Sequence, residues 1–431
     1  MNYSETINFL YSQLPMFERS GANAYKPGLQ TSHDLDNMFG NPHNAYKTIH
    51  IAGTNGKGSV SSLLAAALQS EGYKVGLYTS PHLVDFRERI VVNGEKIPQQ
   101  YVVDFVKRYQ QMDYEGHPSF FELTSTMAFD YFRAAGVDYA VIEVGLGGRL
   151  DSTNIISPQM CVITNISLDH TQFLGDTLPK IASEKAGIIK PGVPVVVGEA
   201  EGDVRRVFEQ KAKAEGAPIT FAQDIHLIIG HTHRDGMLQL STATSLGTID
   251  SQLGGEYQVR NAATVLAAVG EINRRGVAVI SNESVRRAFA HVSQLTGLRG
   301  RWTTLHSSPL TVCDTGHNIG GWQYLSRQIA SVPATCHRMV IGFVKDKDIR
   351  HILALMPKDA CYYFTQASIQ RALDARSLML MGQEAGLKGR CFGTVEQAYS
   401  QAKADAAGTD LVFVGGSTYV VAELLALPEF L

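Results

Sequence analysis

From about Lys47 onward, short apolar runs alternate with longer stretches of helical periodicity. KTIHIA (47–52) predicts a buried strand, and KGSVSSLLAAALQSE (57–71) predicts a helix stopped by Gly72. YKVGLY (73–78) predicts a second strand. SFFELTSTMAFDYFRAAG (119–136) predicts a helix closed by Gly136. DYAVIEVG (138–145) and QMCVITN (159–165) are continuous apolar runs, the pattern of strands covered on both faces. TLPKIASEKAGIIK (177–190) predicts a helix and VPVVVG (193–198) a further strand. Such alternation predicts an α/β fold with a mostly parallel sheet.

The stretch 222–256 breaks the pattern. It is rich in Gly, Thr, Ser and His and predicts short antiparallel strands, followed by helices near 257–274 and 282–292. TGLRGRW (296–302) has two glycines and no periodicity, which predicts a domain boundary. Alternation then restarts with LTVCD (310–314), a helix after Gly321, HRMVIGF (337–343), CYYFT (361–365), a helix near 395–407 and LVFVGG (411–416). The prediction is therefore two domains, 1–296 and 297–431. A length of 431 residues accommodates two or three domains of ordinary size, and 44% apolar content fills more than one core.

Charge changes the picture only by exclusion. With 38 basic and 41 acidic residues, net −3, the chain does not read as a general nucleic-acid binder, although a local basic pocket is compatible. Five cysteines, far apart and with no CxxC pair, argue against a disulfide framework or a structural zinc site and fit a reducing, cytoplasmic compartment. The N-terminus lacks a basic run before an apolar stretch, so no signal peptide is expected. No apolar run reaches the roughly 18 residues of a membrane span.

HIAGTNGKGSVSS (50–62) carries the strongest chemistry: an apolar strand, a Gly-rich turn, and a helix that begins at Lys57. Backbone N–H groups of such a turn, with the positive end of the helix dipole, cradle phosphate oxygens, and Lys57 reaches the β/γ-phosphates. The match to GxxxxGK[ST] is imperfect: Ile51 stands at the first glycine position, and Gly58 stands where Ser or Thr would hold Mg2+. Glu143 closes DYAVIE at the carboxyl end of a parallel strand, where α/β sheets place their sites and a carboxylate can hold Mg2+ beside phosphates.

GTNGKGS (53–59) resembles the variant P-loop of the Mur ligase superfamily, and more specifically of the dihydrofolate synthase/folylpolyglutamate synthase family. TSPHL (79–83), FFELTS (120–125), EVGLGGRLDSTN (143–154), TNISLDHTQFLG (164–175), IASEKAGIIKPG (181–192), DTGHN (314–318) and GGSTY (415–419) resemble segments of that family in the same order. The resemblance implies an N-terminal P-loop ATPase-like domain with a mostly parallel sheet, plus a smaller C-terminal Rossmann-like α/β domain. It implies that ATP is held by Thr54, Asn55, Gly56, Lys57, Gly58, Ser59, Asn261, Arg301 and Asp314. It assigns two Mg2+ ions to Ser80, Glu143, His170 and Lys185, with Lys185 carbamylated so that a cation becomes an anionic ligand. A hydroxyl ligand from Ser80 would explain Gly58. Lys57, Lys185, Arg301 and His317 are the implied catalytic residues.

The resemblance further implies ATP-dependent ligation of L-glutamate to dihydropteroate or to reduced folate. The substrate would be contacted by Tyr25, Lys26 and Pro27, by His82, by Phe120, Phe121, Glu122 and Leu123, and by Leu150, Asp151 and Ser152. For Phe120 and Phe121, packing in a helix core is an equal alternative. Three departures stand out: Arg299 where the family often has proline before Gly300, Gly316 in place of alanine, and Tyr257 in place of a common histidine. A monomer with no nucleic-acid or membrane partner is expected. The rival readings are a ligase acting on a UDP-muramyl substrate, disfavoured because the P-loop starts near residue 50, and an ATP-binding regulatory module without catalysis.

Overall fold

The computed structural model describes residues 1–15, 28–112, 114–234 and 237–431. The chain forms two compact units. The first comprises Met1–Thr232, Gln239–Gln252 and Val259–Leu298; the second comprises His233–Leu238, Leu253–Gln258 and Arg299–Leu431. The boundary near residue 298 lies inside the predicted stretch. Two short segments before it, in the Gly- and His-rich region, group with the second unit, a crossing that linear composition did not signal.

The first unit is built on an eight-stranded sheet. Its strands are β1 (Lys47–Ala52), β2 (Val75–Tyr78), β3 (Ile90–Val92), β4 (Glu95–Lys96), β5 (Tyr139–Glu143), β6 (Met160–Ile163), β7 (Val195–Val197) and β8 (Ile219–Phe221), in the order β4-β3-β2-β5-β1-β6-β7-β8. Every pairing from β2 to β8 is parallel. β3 and β4 add an antiparallel hairpin at the edge. Residues 48–52 of β1 are all buried, as are all of β5 and β6, because helices cover both faces of the sheet. The helix Lys57–Ser70 is buried continuously from Gly58 to Leu68. It packs on the helix Asn282–Thr296 as well as on the sheet, which explains its small-residue composition and its lack of a polar face. The predicted helix 177–190 is shorter than expected, Leu178–Ala186, with Gly187 at its C-cap.

A three-stranded sheet, β9 (Ile228–Arg234), β10 (Met237–Thr242) and β11 (Thr248–Ser251), occupies the stretch that breaks the alternation, in the order β11-β10-β9. The second unit holds a six-stranded sheet: β12 (Thr303–Ser307), β13 (Leu310–Asp314), β14 (His337–Ile341), β15 (Cys361–Phe364), β16 (Lys388–Cys391) and β17 (Leu411–Gly415). Its order is β12-β13-β17-β14-β15-β16, parallel except for β12. Its core gathers around the fully buried Trp322 together with Phe343, Phe364 and Phe413.

Candidate functional site

Register places the first unit's motifs along one edge. Ile51 pairs with Glu143, Ala52 with Ile163, and Tyr78 with Ile142. The segments that follow β1, β2, β5 and β6 therefore all leave the carboxyl ends of four adjacent parallel strands. These are the Gly-rich turn at 53–56, the loop with Ser80, the loop opened by Glu143, and the loop from Thr164 to His170. An open α/β sheet binds ligands at this edge.

The Gly-rich turn is held from below by the loop after β6. Thr54 N–H donates to Asn165 O and Asn55 N–H donates to Asn165 Oδ1, each at 2.9 Å. Thr164 Oγ1 donates to Asn55 O at 2.5 Å, and Asn55 Nδ2 donates to Ser167 Oγ at 3.2 Å. Lys57 Nζ donates back to the carbonyls of Gly53 and Thr54 at 3.1 Å each, which keeps the ammonium over the turn. Gly56 precedes the helix at φ +84° and no side chain caps that helix start, the arrangement that receives an anion. A Cβ at Gly56 would stand 2.2 Å from Asn261 Oδ1. Asn261, on the helix Gln258–Arg274, thus lies against the turn. Gly58 and Ser59 are buried in the first helical turn.

Lys185 is 4% exposed, and burial, followed by the charge of Lys57, pulls its amine down to about 7. Asp169 and Asp151 oppose that shift. Its helix packs against the loop that follows Glu143: Arg149 N–H donates to Glu184 O at 2.8 Å, and a Cβ on Gly148 would lie 3.1 Å from Lys185 O. Glu143 is itself buried. His170 is partly exposed, in the left-handed region at φ +49°, beside Asp169. Among the described residues, no three His, Cys, Asp or Glu side chains form an all-protein metal cage. The donor set suits Mg2+ all the same, because that ion takes one or two carboxylates and completes its shell with phosphate and water.

Several predicted substrate residues have other partners. Glu122 closes a capping box, accepting from Ser119 N and Ser119 Oγ at 2.7 Å each. Phe120 and Leu123 pack in the core, at 3% and 0% exposure, which favours the packing alternative stated for Phe120. Phe121 is only partly buried and lies under Gly145, whose Cβ would meet its ring at 2.4 Å. Asp151 accepts from Leu146 N and Thr153 N and organises the turn that contains Ser152; Leu150 is partly exposed. Tyr25, Lys26 and Pro27 lie outside the described residues.

His82 belongs to a chain that sequence reading missed. The buried Arg89 donates Nε–H to His82 Nδ1 at 2.7 Å, and His82 Nε2 lies 3.1 Å from the Tyr11 hydroxyl. An arginine donor at Nδ1 fixes the neutral tautomer with hydrogen on Nε2. The support from Asn165 and Ser167 has no separate signal in the sequence, although both lie inside TNISLDHTQFLG (164–175).

In the second unit, Asp314 ends β13. It is buried and accepts from Trp302 N (2.7 Å), Gly316 N (2.8 Å) and Tyr257 OH (2.5 Å). Burial pushes its carboxyl up, and those donors together with Arg301 pull it down. Arg301 donates to Thr315 Oγ1 and to Gly300 O. His317 Nδ1 lies 3.0 Å from Thr315 O, and Asn318 caps the helix Ile319–Ser331. Tyr257, the departure from the family's histidine, serves as a hydrogen-bond donor to Asp314.

The chain is similar to known proteins along most of its length. Residues 51–269 match the Mur ligase middle domain, and residues 300–418 match the Mur ligase glutamate ligase domain. The folylpolyglutamate synthase of Lacticaseibacillus casei is 32% identical over 96% of this chain and 96% of that protein. A Haloferax volcanii protein named "Probable bifunctional folylpolyglutamate synthase/dihydropteroate synthase" is 32% identical over 98% of this chain; the chain spans about half, 50%, of that relative's length. A solved bifunctional folylpolyglutamate synthase/dihydrofolate synthase with Mn, AMPPNP and L-glutamate bound superposes with a TM-score of 0.82 at 28% identity, covering 99% of this chain and 98% of that one.

Proposed function

The chain belongs to the dihydrofolate synthase/folylpolyglutamate synthase family of the Mur ligase superfamily, and from that premise we propose that it is an ATP-dependent ligase. It joins L-glutamate to the carboxylate of dihydropteroate and to that of reduced-folate polyglutamates. The observation that carries this reading is the convergence of the Gly-rich turn, Ser80, Glu143 and the 164–170 loop on the carboxyl edge of one parallel sheet.

The substrate carboxylate attacks the γ-phosphorus of ATP, the bond to the β-phosphate bridging oxygen breaks, and ADP leaves. The amine of glutamate then attacks the acyl phosphate carbonyl and phosphate departs. The first-turn backbone and Lys57 bind the phosphates, Asn261 meets the nucleotide, and Arg301 and His317 serve the transferred phosphoryl group. Asp314 acts through the turns it ties together. This is catalysis by positioning and charge, with no protein nucleophile.

Ser80, Glu143, His170 and a carbamylated Lys185 would hold Mg2+, which when bound spreads phosphoryl charge. An amine lowered to about 7 is substantially neutral near pH 7, the form that adds carbon dioxide. His82, Phe121, Leu150 and Ser152 remain as substrate contacts in this reading. The working species is a cytoplasmic monomer.

Glutamate-dependent ADP release, run separately with dihydropteroate, tetrahydrofolate and UDP-muramyl-alanine, tests the proposal. Release with both pterin substrates supports it, and release with one alone narrows it to that single activity. Release with the UDP-muramyl compound alone redirects it to that ligase class, and ATP binding without release makes the chain a regulatory module.

A further inference from the structure

Cys336 and Cys361 are far apart in sequence, but the second unit's sheet brings their sulfurs to 3.5 Å. Cys336 stands just before β14 and Cys361 opens β15. The strands are parallel neighbours with Arg338 registered on Cys361. Backbone ladders hold both residues. Leu411 N–H donates to Cys336 O at 3.0 Å, and Thr335 N–H donates to Thr409 O at 3.0 Å. Arg338, two residues on, donates to Asp410 at 2.8 Å and to Tyr363 OH at 2.9 Å, tying β14 to β15 and to the segment before β17. A bond would draw the two sulfurs from 3.5 Å to about 2.05 Å. Cys361 is exposed and Cys336 is partly buried. The remaining cysteines of this unit lie elsewhere: Cys313 is buried in β13, and Cys391 registers on Phe364, at the other end of β15.

We propose that Cys336 and Cys361 form a reversible intramolecular disulfide under peroxide, a redox lock on the second unit. The exposed Cys361 thiolate attacks a peroxide oxygen, the O–O bond breaks, and hydroxide leaves a sulfenic acid. The Cys336 sulfur then attacks Cys361 Sγ, the S–O bond breaks, and water departs with the Cys336 proton. Two thiols are oxidised and one peroxide is reduced to two waters. A dithiol reductant reverses the bridge. Burial and the neighbouring Cys361 thiol push the Cys336 thiol up, which agrees with Cys361 reacting first. The bridge would join the amino ends of β14 and β15, whereas Asp314 and His317 follow the carboxyl end of β13, which runs parallel to them through β17. Ligation should therefore persist in the oxidised protein.

The test is intact mass and non-reducing peptide mapping of the full chain after hydrogen peroxide and thiol blocking. The expected result is loss of two blockable thiols, a linked 336–361 peptide, recovery with dithiothreitol, and a thermal midpoint about 5 °C higher when oxidised. Cys336→Ser and Cys361→Ser should each abolish the linked species. A Cys361–Cys391 peptide, disulfide dimers, stable overoxidation of Cys361 without a partner, or a bridge that survives Cys336→Ser would overturn the proposal.

Discussion

Gly53→Ala isolates the fit between the Gly-rich turn and the loop beneath it. Gly53 sits at φ +147°, and a Cβ there would stand 1.8 Å from Thr164 Oγ1, 3.0 Å from Thr164 Cβ and 3.1 Å from Thr164 N. Thr164 cannot retreat as a whole, because its N–H donates to Ala52 O at 2.9 Å. Rotating its side chain away gives up the 2.5 Å bond to Asn55 O. The backbone strain costs about 1–3 kcal/mol and the lost hydrogen bond about 1 kcal/mol, together about 2–4 kcal/mol. Gly136→Ala supplies the control. Its φ is +65° with nothing within 4 Å of a Cβ, so conformation alone costs about 1 kcal/mol. Urea unfolding of both variants, with ADP release measured against ATP concentration, separates the two effects. Gly53→Ala should be the less stable by about 2 kcal/mol and raise KM for ATP about tenfold or more, while Gly136→Ala leaves KM unchanged. Equal stabilities together with an unchanged KM would refute the reasoning.

Lys57→Ala and Arg301→Ala should each lower kcat by about 10²–10³-fold with little change in melting temperature; a variant that unfolds early instead marks its residue as structural. Lys185→Ala should abolish ligation, with partial recovery on adding bicarbonate or short carboxylates, whereas an unaffected rate removes Lys185 from the mechanism. His50 is fully buried on β1, its Nε2 2.9 Å from Thr153 Oγ1, and burial lowers its pKa to about 3. Between about pH 6.5 and 3 the unfolded chain therefore binds one more proton than the folded one, so stability falls as pH falls, by about 5 kcal/mol across the full window. His50→Gln should flatten that part of the stability–pH profile measured by urea unfolding, and an unchanged slope would show that other groups set acid lability.

The central strands and the nucleotide turn were legible because their signals are local: five buried residues in KTIHIA, then glycines where a Cβ would collide, then Lys57. The edge hairpin was equally local but went unread. Asn93-Gly94, both at positive φ, separates paired residues Val92 and Glu95, a turn signal between an apolar run and a charged strand. The capping box Ser119–Glu122 was likewise readable, and it accounts for a glutamate that resemblance assigned to substrate. By contrast, Asn165 supports Asn55 across 110 positions, Tyr11 meets His82 across 71, and Cys336 meets Cys361 through the sheet. Pairings of this kind arise from tertiary register, to which hydrophobic periodicity is blind.

Oxygen transfer tests the central claim most directly. Dihydropteroate carrying 18O in both carboxylate oxygens is incubated with ATP and glutamate, and the released phosphate is analysed by mass spectrometry. Activation through an acyl phosphate predicts one 18O atom in each phosphate released per amide formed. Amide formation that yields unlabelled phosphate would contradict the account.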